Sequence, residues 1–445
     1  MAPPERALPR LRRIDPRRRL TGLWRNADFL KLWGSLTITH FGGQITFLAL
    51  PLAAALTLRA SALQIGVLTA LETLPYPLFG LLAGVLVDRS RKLPVIIWAD
   101  VGRGLALAAV PLAAWLGVLS MNVLYVVGFL VGTGTVVGWP AYQVFMTERV
   151  GRENLVEANS KIGISDSASQ LVGPGIAGAL IQWLTAPVAV LFDAASFFLS
   201  AWMLRGIQAA PSDAPTHAAA SVYAEIREGL VAVWSDPVLR TLAWALAVWQ
   251  IFRHAYVAVV ILFAARELGF SAGHVGALFV LAGLGSLAAA WAARPLNARH
   301  GFGATLLGAL AGTGVAWLIV GASAGGPVLA SAMFGLGLFL LDFCAMTFFI
   351  NYLTLRQTVT PDRLLGRVTA TMICLTVSTA PLGALAGGWI GEHWGLRASI
   401  LLAGVGALAL APVIAWVSPI GGMRELHARR EPVQAESLTE ELPGT

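Results

Sequence analysis

The sequence is poor in charged residues. Only 12% of its 445 residues are Asp, Glu, Lys or Arg, and 57% are hydrophobic, whereas about 25% are charged in an ordinary soluble domain. So few charges cannot cover the surface of a water-soluble protein of 46.9 kDa, which excludes a cytoplasmic enzyme. The mean hydropathy of +0.72 excludes intrinsic disorder. The 47 Gly and 23 Pro recur at no fixed period, which excludes a collagen-like fibre.

Several chemical motifs are also missing from the sequence. The two cysteines, Cys344 and Cys374, lie in separate apolar stretches and the seven His are scattered, so we expect neither a metal site nor a disulfide framework. No Gly-x-x-x-x-Gly-Lys-Ser/Thr loop is present, so ATP is not the expected energy source. No Ser/His/Asp set and no His-Glu-x-x-His motif occur, and we therefore expect no enzyme and no cofactor.

Long apolar stretches dominate what is present. Residues 1–28 are rich in Arg and Pro and lack the apolar core of a secretory signal. Twelve apolar segments follow, each long enough to span a bilayer as a helix: 29–57, 62–87, 93–117, 121–146, 162–184, 186–205, 241–264, 271–294, 302–322, 326–353, 367–390 and 395–418. Alternating ten-residue strands are absent, which excludes a β-barrel. The sequence therefore predicts an all-α polytopic membrane protein with twelve transmembrane helices.

The basic residues lie on one side of this predicted topology. The loops of one side hold only Arg59, Arg266 and Arg397, and Arg103 and Arg253 lie within segments; the other 26 of the 31 Lys and Arg fall on the opposite side. By the positive-inside rule both termini are cytoplasmic. The net charge of +7 is thus explained by a membrane rather than by nucleic acid. We expect the Arg-rich N-terminal segment to rest on anionic lipid headgroups.

The segments divide into two sets of six. The predicted organisation is a cytoplasmic segment 1–28, a half 29–205, a linker 206–240 with an amphipathic run from Ser221 to Trp234, a second half 241–418, and a cytoplasmic tail 419–445. The loop residues Val150, Glu153 and Leu155 recur 209 positions later as Val359, Asp362 and Leu364. Equal topology in both halves predicts a parallel repeat about an axis along the membrane normal.

Two motifs resemble those of the major facilitator superfamily. Residues Gly84 to Lys92 (GVLVDRSRK) resemble the signature Gly-x-Leu-Ala-Asp-Arg-x-Gly-Arg-Lys, with Arg91 where the family usually has Gly. The second-half counterpart, Gly285 to Gly301, has no acidic residue. Gly173-Pro174-Gly175-Ile-Ala-Gly178 is similar to the Gly-Pro motif of antiporters in the family.

Shorter phrases are similar to the enterobactin-exporter and macrolide-efflux branch of that superfamily. They are FLKLWGS, GVLVDR, EANS, GPGIAG, DAASFFLSA, REGL and LRQTVTPDRLLGRV, and they extend from Phe29 to Pro419. The resemblance implies a monomeric secondary transporter of the bacterial inner membrane, which exports a small amphipathic solute such as a drug, macrolide or siderophore-like metabolite in exchange for protons. The alternatives are a lysophospholipid or nutrient transporter, or a membrane sensor, which would be expected to carry a longer output segment than residues 419–445.

The resemblance also implies a conformational gate formed by Gly84, Asp88, Arg89, Arg91 and Lys92. It places Asp88 against the start of the eleventh segment, where a helix N-terminus carries about half a positive charge. This contact can form only when the two halves meet on the cytoplasmic side, so it would favour the outward-open state. The alternative is an ordinary basic cytoplasmic loop.

Ionisable residues within the apolar segments are functional candidates, because burying them in a bilayer is costly unless they are paired or hydrated. Glu72 lies about ten residues into the second segment and shares a helical face with Pro75, Tyr76 and Phe79. We take Glu72 as the first candidate for proton coupling and Asp342 in the tenth segment as the second. For either carboxylate, the alternative is a permanent ion pair with Arg253 that ties the halves together.

Polar side chains one helical turn apart supply the candidates for the substrate cavity. The resemblance implies that segments 1, 2, 4, 5, 7, 8, 10 and 11 surround this cavity and that segments 3, 6, 9 and 12 support them. The candidates are His40, Gln44, Tyr76, Gln250, Arg253 and His254.

Charged residues on the supporting segments receive a structural interpretation. Asp100 and Arg103 are three residues apart on the third segment and are predicted to form an intrahelical pair. Asp193 on the sixth segment, with Ser196 nearby, is likewise expected to have a structural role.

Overall fold

The computed structural model describes residues 22–207 and 222–423, and all of its regular structure is helical. The first six spans are α1 (Ala27–Leu52, continued by the π-helical turn Ala53–Thr57), α2 with α3 (Ala62–Thr73 and Pro75–Arg89), α4 (Lys92–Trp115), α5 (Met121–Val150), α6 (Leu155–Leu184) and α7 (Ala186–Arg205). Most of the N-terminal segment, with its predicted lipid contacts, and most of the C-terminal tail lie outside the described residues.

A linker helix and six further spans complete the described chain. They are the linker helix α8 (Val222–Ser235), then α9 (Pro237–Arg266), α10 (Ala272–His300), α11 (Phe302–Ala322), α12 (Pro327–Val359), α13 with α14 (Leu365–Val377 and Ala380–Trp394) and α15 (Leu396–Val417). Helix α8 packs on α13, where Arg367 pairs with Glu228. These twelve spans coincide with the twelve predicted segments, and the prediction of an all-α fold is confirmed.

Ten of the twelve spans are long and apolar enough, within the described residues, to be recognised as membrane helices by length and hydropathy alone. The second span, which is broken into pieces of 12 and 15 residues, α2 and α3, is not among them. The fifth span, α6, is 30 residues long but is less apolar than the others, because its first half carries Glu157, Lys161 and Asp166. Both spans nevertheless pack within the bundle, against α5 and α1 respectively.

Proline accounts for two breaks, one in each half. Pro75 begins α3 and Pro381 is the second residue of α14. Proline lacks the backbone N–H that would continue the preceding helix, and its ring restricts the residue before it. Spans two and eleven therefore each consist of two shorter helices that can bend relative to each other.

The packing of the two halves follows one pattern. In the first half α1 packs on α7, α4 on α5, and α4 on α7; in the second, α9 packs on α15, α11 on α12, and α11 on α15. Serine N-caps repeat as well: Ser61 accepts from the N–H of Gln64 at 3.3 Å, and Ser271 accepts from that of His274 at 3.3 Å. The six-helix halves are thus pseudo-symmetric, as predicted.

Nine of the ten exposed tryptophans among the described residues form two belts around the bundle, and the tenth, Trp139, lies midway along α5. We call the end that holds Gly22, Val222 and Met423 the termini end, and the opposite end the far end. Tryptophan is enriched where a membrane protein meets the lipid–water interface. At the termini end the exposed residues are Trp98, Trp202, Trp234, Trp291 and Trp416, and at the far end they are Trp115, Trp183, Trp389 and Trp394. The bilayer therefore lies between these belts, with Trp234 of α8 in the belt at the termini end.

Candidate functional site

The first half contains a cavity of about 450 Å³. Its walls come from spans one to four and six of that half, together with Val257 and Ile261 of α9. Ligand pockets in proteins commonly have about 300–1,000 Å³. The polar and aromatic residues that line it are Ser35, Thr39, His40, Thr46, Phe47, Thr69, Glu72, Tyr76, Asp100, Arg103, Thr135, Trp139, Tyr142, Asp193, Phe197 and Ser200.

Glu72 reaches this cavity from the last turn of α2, just before the break at Pro75. The helix α5 approaches it closely because Gly128 and Gly132 have no side chains. A methyl group on Gly128 would lie 3.1 Å from Cγ of Glu72, and one on Gly132 would collide with the Glu72 carbonyl oxygen. Within the described part of the chain, the Glu72 carboxyl group has no hydrogen-bond or ion-pair partner. It therefore faces the cavity as an uncompensated acidic group.

The supporting helices α4 and α7 also contribute polar groups to the cavity. Asp100 and Arg103 form the predicted intrahelical ion pair, and Ser200 of α7 donates to Asp100 at 2.5 Å. The guanidinium group of Arg103 lies 4.2 Å from the ring centroid of Phe197. The resemblance implies that α4 and α7 are supporting spans, yet residues of both helices line the cavity. The division into cavity-forming and supporting spans is therefore not strict.

Asp193 of α7 is held by two hydroxyl groups. Thr46 of α1 donates to one carboxyl oxygen, and Ser196 donates to the other at 3.0 Å. Gly42 leaves room for this arrangement, since a methyl group there would meet both Asp193 and Ser196. Asp193 thus joins α1 to α7, in keeping with its structural interpretation, and it also lines the cavity.

Three buried polar atoms along the cavity have no hydrogen-bond partner among the described residues: Nε of Arg103, the hydroxyl of Tyr142 and Nδ1 of His40. His40 Nδ1 lies 3.3 Å from Asp166, but their geometry is not that of a hydrogen bond. Tyr142 stacks on Trp139 with ring centroids 6.0 Å apart. Buried polar groups are nearly always hydrogen-bonded, so these atoms indicate a place where a ligand or water binds.

The predicted polar residues of the second half lie outside this cavity. Asp342 attracts Arg253 electrostatically and accepts a hydrogen bond from Ser286. Arg253 is exposed, whereas His254 is buried, with Nδ1 2.9 Å from the carbonyl oxygen of Gln250. The ionic neighbour of Arg253 is therefore Asp342, within the same half. The alternative in which Arg253 ties Glu72 across the two halves receives no support from this arrangement.

The predicted gate lies at the termini end. Helix α3 ends at Arg89 and α4 begins at Lys92; Arg89 and Arg91 are exposed, and Lys92 is buried. Gly84 faces open space. Helix α3 does contact α13. The side chain of Asp88 lies outside what the structure describes, so its contact with the eleventh span stays a prediction.

The Gly-Pro element of α6 lies where the two halves meet near the far end. A methyl group on Gly178 would lie 2.8 Å from Cα of Gly276 in α10, and the carbonyl oxygen of Pro174 faces Gly276. A methyl group on Gly173 would lie 2.7 Å from Cβ of Gln44, so Gln44 packs here and not in the cavity. Close helix contacts of this kind are typical of small residues in membrane proteins.

An equivalent contact joins α2 and α14. A methyl group on Gly66 would lie 2.8 Å from Cα of Gly388, and Leu63 N–H donates to Glu392 at 3.2 Å nearby. Gly66 and Gly276 are 210 residues apart, as are Gly178 and Gly388, so the two contacts are related by the internal repeat. The two halves are thus held together near the far end by two pairs of glycines.

Comparison with known proteins shows the family. The model of the Major Facilitator Superfamily matches residues 32–374, more than half of the chain. The chain belongs to this superfamily. It is therefore a multi-pass membrane transporter and not an enzyme, as the motifs predicted.

Curated relatives of this superfamily member cover most of its length. The multidrug efflux pump Tap of Mycolicibacterium fortuitum is 29% identical over 430 residues, covering 93% of this chain and 100% of the relative. The enterobactin exporter EntS of Shigella boydii is 26% identical over 349 residues, 75% of this chain and 78% of the relative. The resemblance to the efflux branch is confirmed.

Solved structures show the same fold at low identity. A point mutant of the nucleoside transporter NupG has a TM-score of 0.71 at 13% identity, over 88% of this chain and 100% of that one. A D-xylose-proton symporter has a TM-score of 0.68 at 14% identity, over 87% and 97%.

Proposed function

We propose that the protein exports a small amphipathic organic solute from the bacterial cytoplasm across the inner membrane in exchange for protons. The observation that carries this proposal is the unpartnered carboxyl group of Glu72 in a cavity with both aromatic and polar walls. A carboxyl group in such a place can bind a proton or a solute and release it when the cavity changes sides. The relatives named as a multidrug efflux pump and an enterobactin exporter favour an organic solute and export.

The distribution of basic residues supports an orientation in which the termini end of the protein is cytoplasmic. The loops at the far end hold Arg59, Arg266 and Arg397, and the other basic residues outside the membrane lie on the side of the termini end. By the positive-inside rule the termini end is cytoplasmic. The glycine contacts near the far end then close the periplasmic side, which corresponds to a state before release of the solute.

The test is a Glu72→Gln variant in reconstituted vesicles. The solute is chosen by thermal stabilisation of the purified protein, and its uptake is followed with and without a pH gradient. Since an amide keeps the shape of the side chain but cannot ionise, we expect uphill movement driven by the gradient to be lost while downhill exchange persists. The matched control is Glu267→Gln, a carboxylate in the far-end loop paired with Arg397 at 3.6 Å.

Two outcomes would contradict the proposal. Uphill transport by Glu72→Gln at the native rate would remove Glu72 as the proton carrier and leave Asp342 as the remaining candidate. Solute movement by the unaltered protein that ignores the pH gradient would overturn proton coupling altogether.

A further inference from the structure

The cavity has two chemically different poles, which lie along α5. Gly128 and Gly132 of α5 face Glu72, whereas Gly134 and Gly138 face the side chain of Arg103. A methyl group on Gly138 would lie 3.5 Å from Nη2 of Arg103, which places the guanidinium group beside this turn. Ten residues separate Gly128 from Gly138, and at 1.5 Å per residue this is about 15 Å along the helix.

The pole at Arg103 offers hydrogen-bond donors. The ion pair with Asp100 holds the guanidinium group through Nη2, and Nε remains without a partner among the described residues. Tyr142 is 5% exposed, and its hydroxyl is likewise unpartnered. Helical side chains lean toward the N-terminus of their helix, so the Tyr142 ring covers the turn of Gly138. Both unpaired donors belong to residues that line the cavity, and each calls for an acceptor oxygen, because leaving a donor desolvated is unfavourable.

The pole at Glu72 is acidic and accepts hydrogen bonds. A carboxylate has no donor of its own. The cavity wall holds three carboxyl groups, those of Glu72, Asp100 and Asp193, against the one guanidinium group of Arg103. Asp100 is paired with Arg103, and Asp193 is held by hydroxyl groups, so Glu72 is the carboxylate left for a cation.

An aromatic surface connects the poles. Tyr76 of α3, Phe47 of α1 and Trp139 of α5 all line the cavity, and Trp139 stacks on Tyr142. Faces of aromatic rings attract organic cations and pack well on flat apolar groups. The middle of the cavity therefore suits the apolar body of an amphipathic molecule.

We propose that this cavity selects an elongated amphipathic cation, with its charged nitrogen against Glu72 and an acceptor oxygen at its other end against Nε of Arg103 and the hydroxyl of Tyr142. This proposal rests on the proposed function, since it names the solute class for the same cavity. It adds Tyr142 and Arg103 as residues that determine specificity, and it gives Asp100 the role of positioning the Arg103 guanidinium group.

Binding of three matched compounds to the purified protein tests this proposal without any transport. The first probe is a 4′-methoxybiphenyl carrying a trimethylammonium-methyl group at the opposite end. The second replaces the ammonium nitrogen by carbon, and the third replaces methoxy by ethyl. Affinities are measured by isothermal titration calorimetry in detergent. We expect each replacement to weaken binding about tenfold or more, since each removes one polar contact.

Variants assign the two losses to their poles. Glu72→Gln should abolish the preference for the ammonium over its carbon analogue and keep the preference for methoxy over ethyl. Tyr142→Phe should reduce the methoxy preference and keep the preference for the cation. The matched controls are Glu267→Gln and Tyr125→Phe; Tyr125 lies on the same helix but donates to the carbonyl oxygen of Gln64 at 3.3 Å, outside the cavity lining.

The outcomes separate this proposal from the proposed function. Equal affinities for the three compounds, no binding of the first probe, or preferences unchanged in both variants would overturn the two-pole site, even if vesicles transport other solutes against a gradient. The expected binding pattern without gradient-driven transport would support the two-pole site and contradict proton-coupled export.

Discussion

At the scale of single residues, the second half differs from the first in how its intramembrane carboxylate is compensated. Asp342 attracts Arg253 and accepts a hydrogen bond from Ser286, whereas Glu72 has no such partner among the described residues. Arg253 also lies 5.9 Å from the ring centroid of Trp249. Two carboxylates that look alike in the sequence thus have different surroundings, and this difference favours Glu72 as the group that exchanges its ligand.

A double-mutant cycle on Arg253 and Asp342 tests the pairing. Arg253→Gln alone leaves Asp342 without its cation, and Asp342→Asn alone leaves Arg253 without its anion. We therefore expect the double variant to be destabilised by less than the sum of the two single effects. Residues in contact commonly show coupling of about 0.5–3 kcal/mol. The measurement is chemical unfolding in detergent.

The control cycle uses Arg397 and Glu267, a pair 3.6 Å apart and about one-third exposed at the far end. Both residues lie at the water-facing far end, outside the membrane, where ion pairs contribute about 0–1 kcal/mol, so this cycle should show less coupling than the pair within the membrane. Strictly additive effects of Arg253→Gln and Asp342→Asn would contradict the pairing.

At the scale of elements, a short 3₁₀ helix at the termini end is held by one carboxylate. Gly22–Arg25 packs beside the first turns of α6, where Glu157 accepts from the N–H of Leu23 at 2.9 Å and pairs with Lys161 at 3.1 Å. Lys161 in turn lies 4.2 Å from the ring centroid of Trp24. Glu157 lies in the first turn of α6, which precedes the apolar segment 162–184 and extends beyond the membrane. The hydrogen bond from Leu23, and next the contact with Lys161, lower the pKa of its carboxyl group.

This lowered pKa predicts the pH dependence of docking. A group whose pKa is lower in the docked state stabilises that state above its ordinary pKa, and the stabilisation is lost as the pH falls through the lowered value. A spin label at position 25, with Cys344 and Cys374 replaced, should be immobile at neutral pH and become mobile below about pH 4, the ordinary range of a glutamate.

Glu157→Gln should make the same label mobile at every pH, because the charge that holds the segment is gone. Glu148→Gln, an exposed carboxylate at the same end, serves as the control and should leave the label immobile at neutral pH. A label whose mobility does not respond to Glu157→Gln would show that other contacts hold the segment.

The broken spans are the second feature at this scale. Pro75 and Pro381 divide spans two and eleven into a far-end piece and a termini-end piece. The far-end pieces α2 and α14 pack against each other, and the termini-end pieces α3 and α13 are also in contact. Each of these two spans can therefore bend at its middle, so that one end can move without a rearrangement of the whole helix.

At the scale of the whole molecule, two symmetry-related glycine contacts join the halves near the far end. Gly66 faces Gly388, and Gly178 faces Gly276. Backbones can approach this closely only where both helices lack a side chain. The closed far end therefore depends on four glycine positions that have no side chain.

Adding a methyl group at these contacts should open the far end. In Gly66→Ala the new Cβ would lie 2.7 Å from the Ala384 carbonyl oxygen, and in Gly178→Ala it would lie 2.7 Å from that of Ala272, so the helices must separate. We expect spin labels at Ser120 and Val328, one in each half at the far end, to move several ångströms apart when measured by pulsed electron resonance.

Gly102→Ala is the matched control, because nothing lies within 4 Å of its added methyl group. An unchanged distance distribution in both Gly66→Ala and Gly178→Ala would show that the glycine contacts do not determine closure.

The sequence alone determined the number, order and approximate bounds of the membrane spans. The helices Ala186–Arg205 and Phe302–Ala322 coincide with the predicted segments 186–205 and 302–322. The physical reason is that the bilayer requires about 20 apolar residues per helix, a property that one stretch of chain carries by itself. The family could also be recognised at this stage, since its motifs are contiguous.

Tertiary structure alone decided which polar groups meet. It brought Arg103 and Asp193 from the supporting helices into the cavity, placed Arg253 beside Asp342 rather than Glu72, and buried His254. Helical spacing in the sequence shows which residues share a face, but the rotation of each helix within the bundle depends on packing against residues far away in the chain. The approach of Gly66 to Gly388 is such a case, since more than 300 residues separate two positions whose backbones touch.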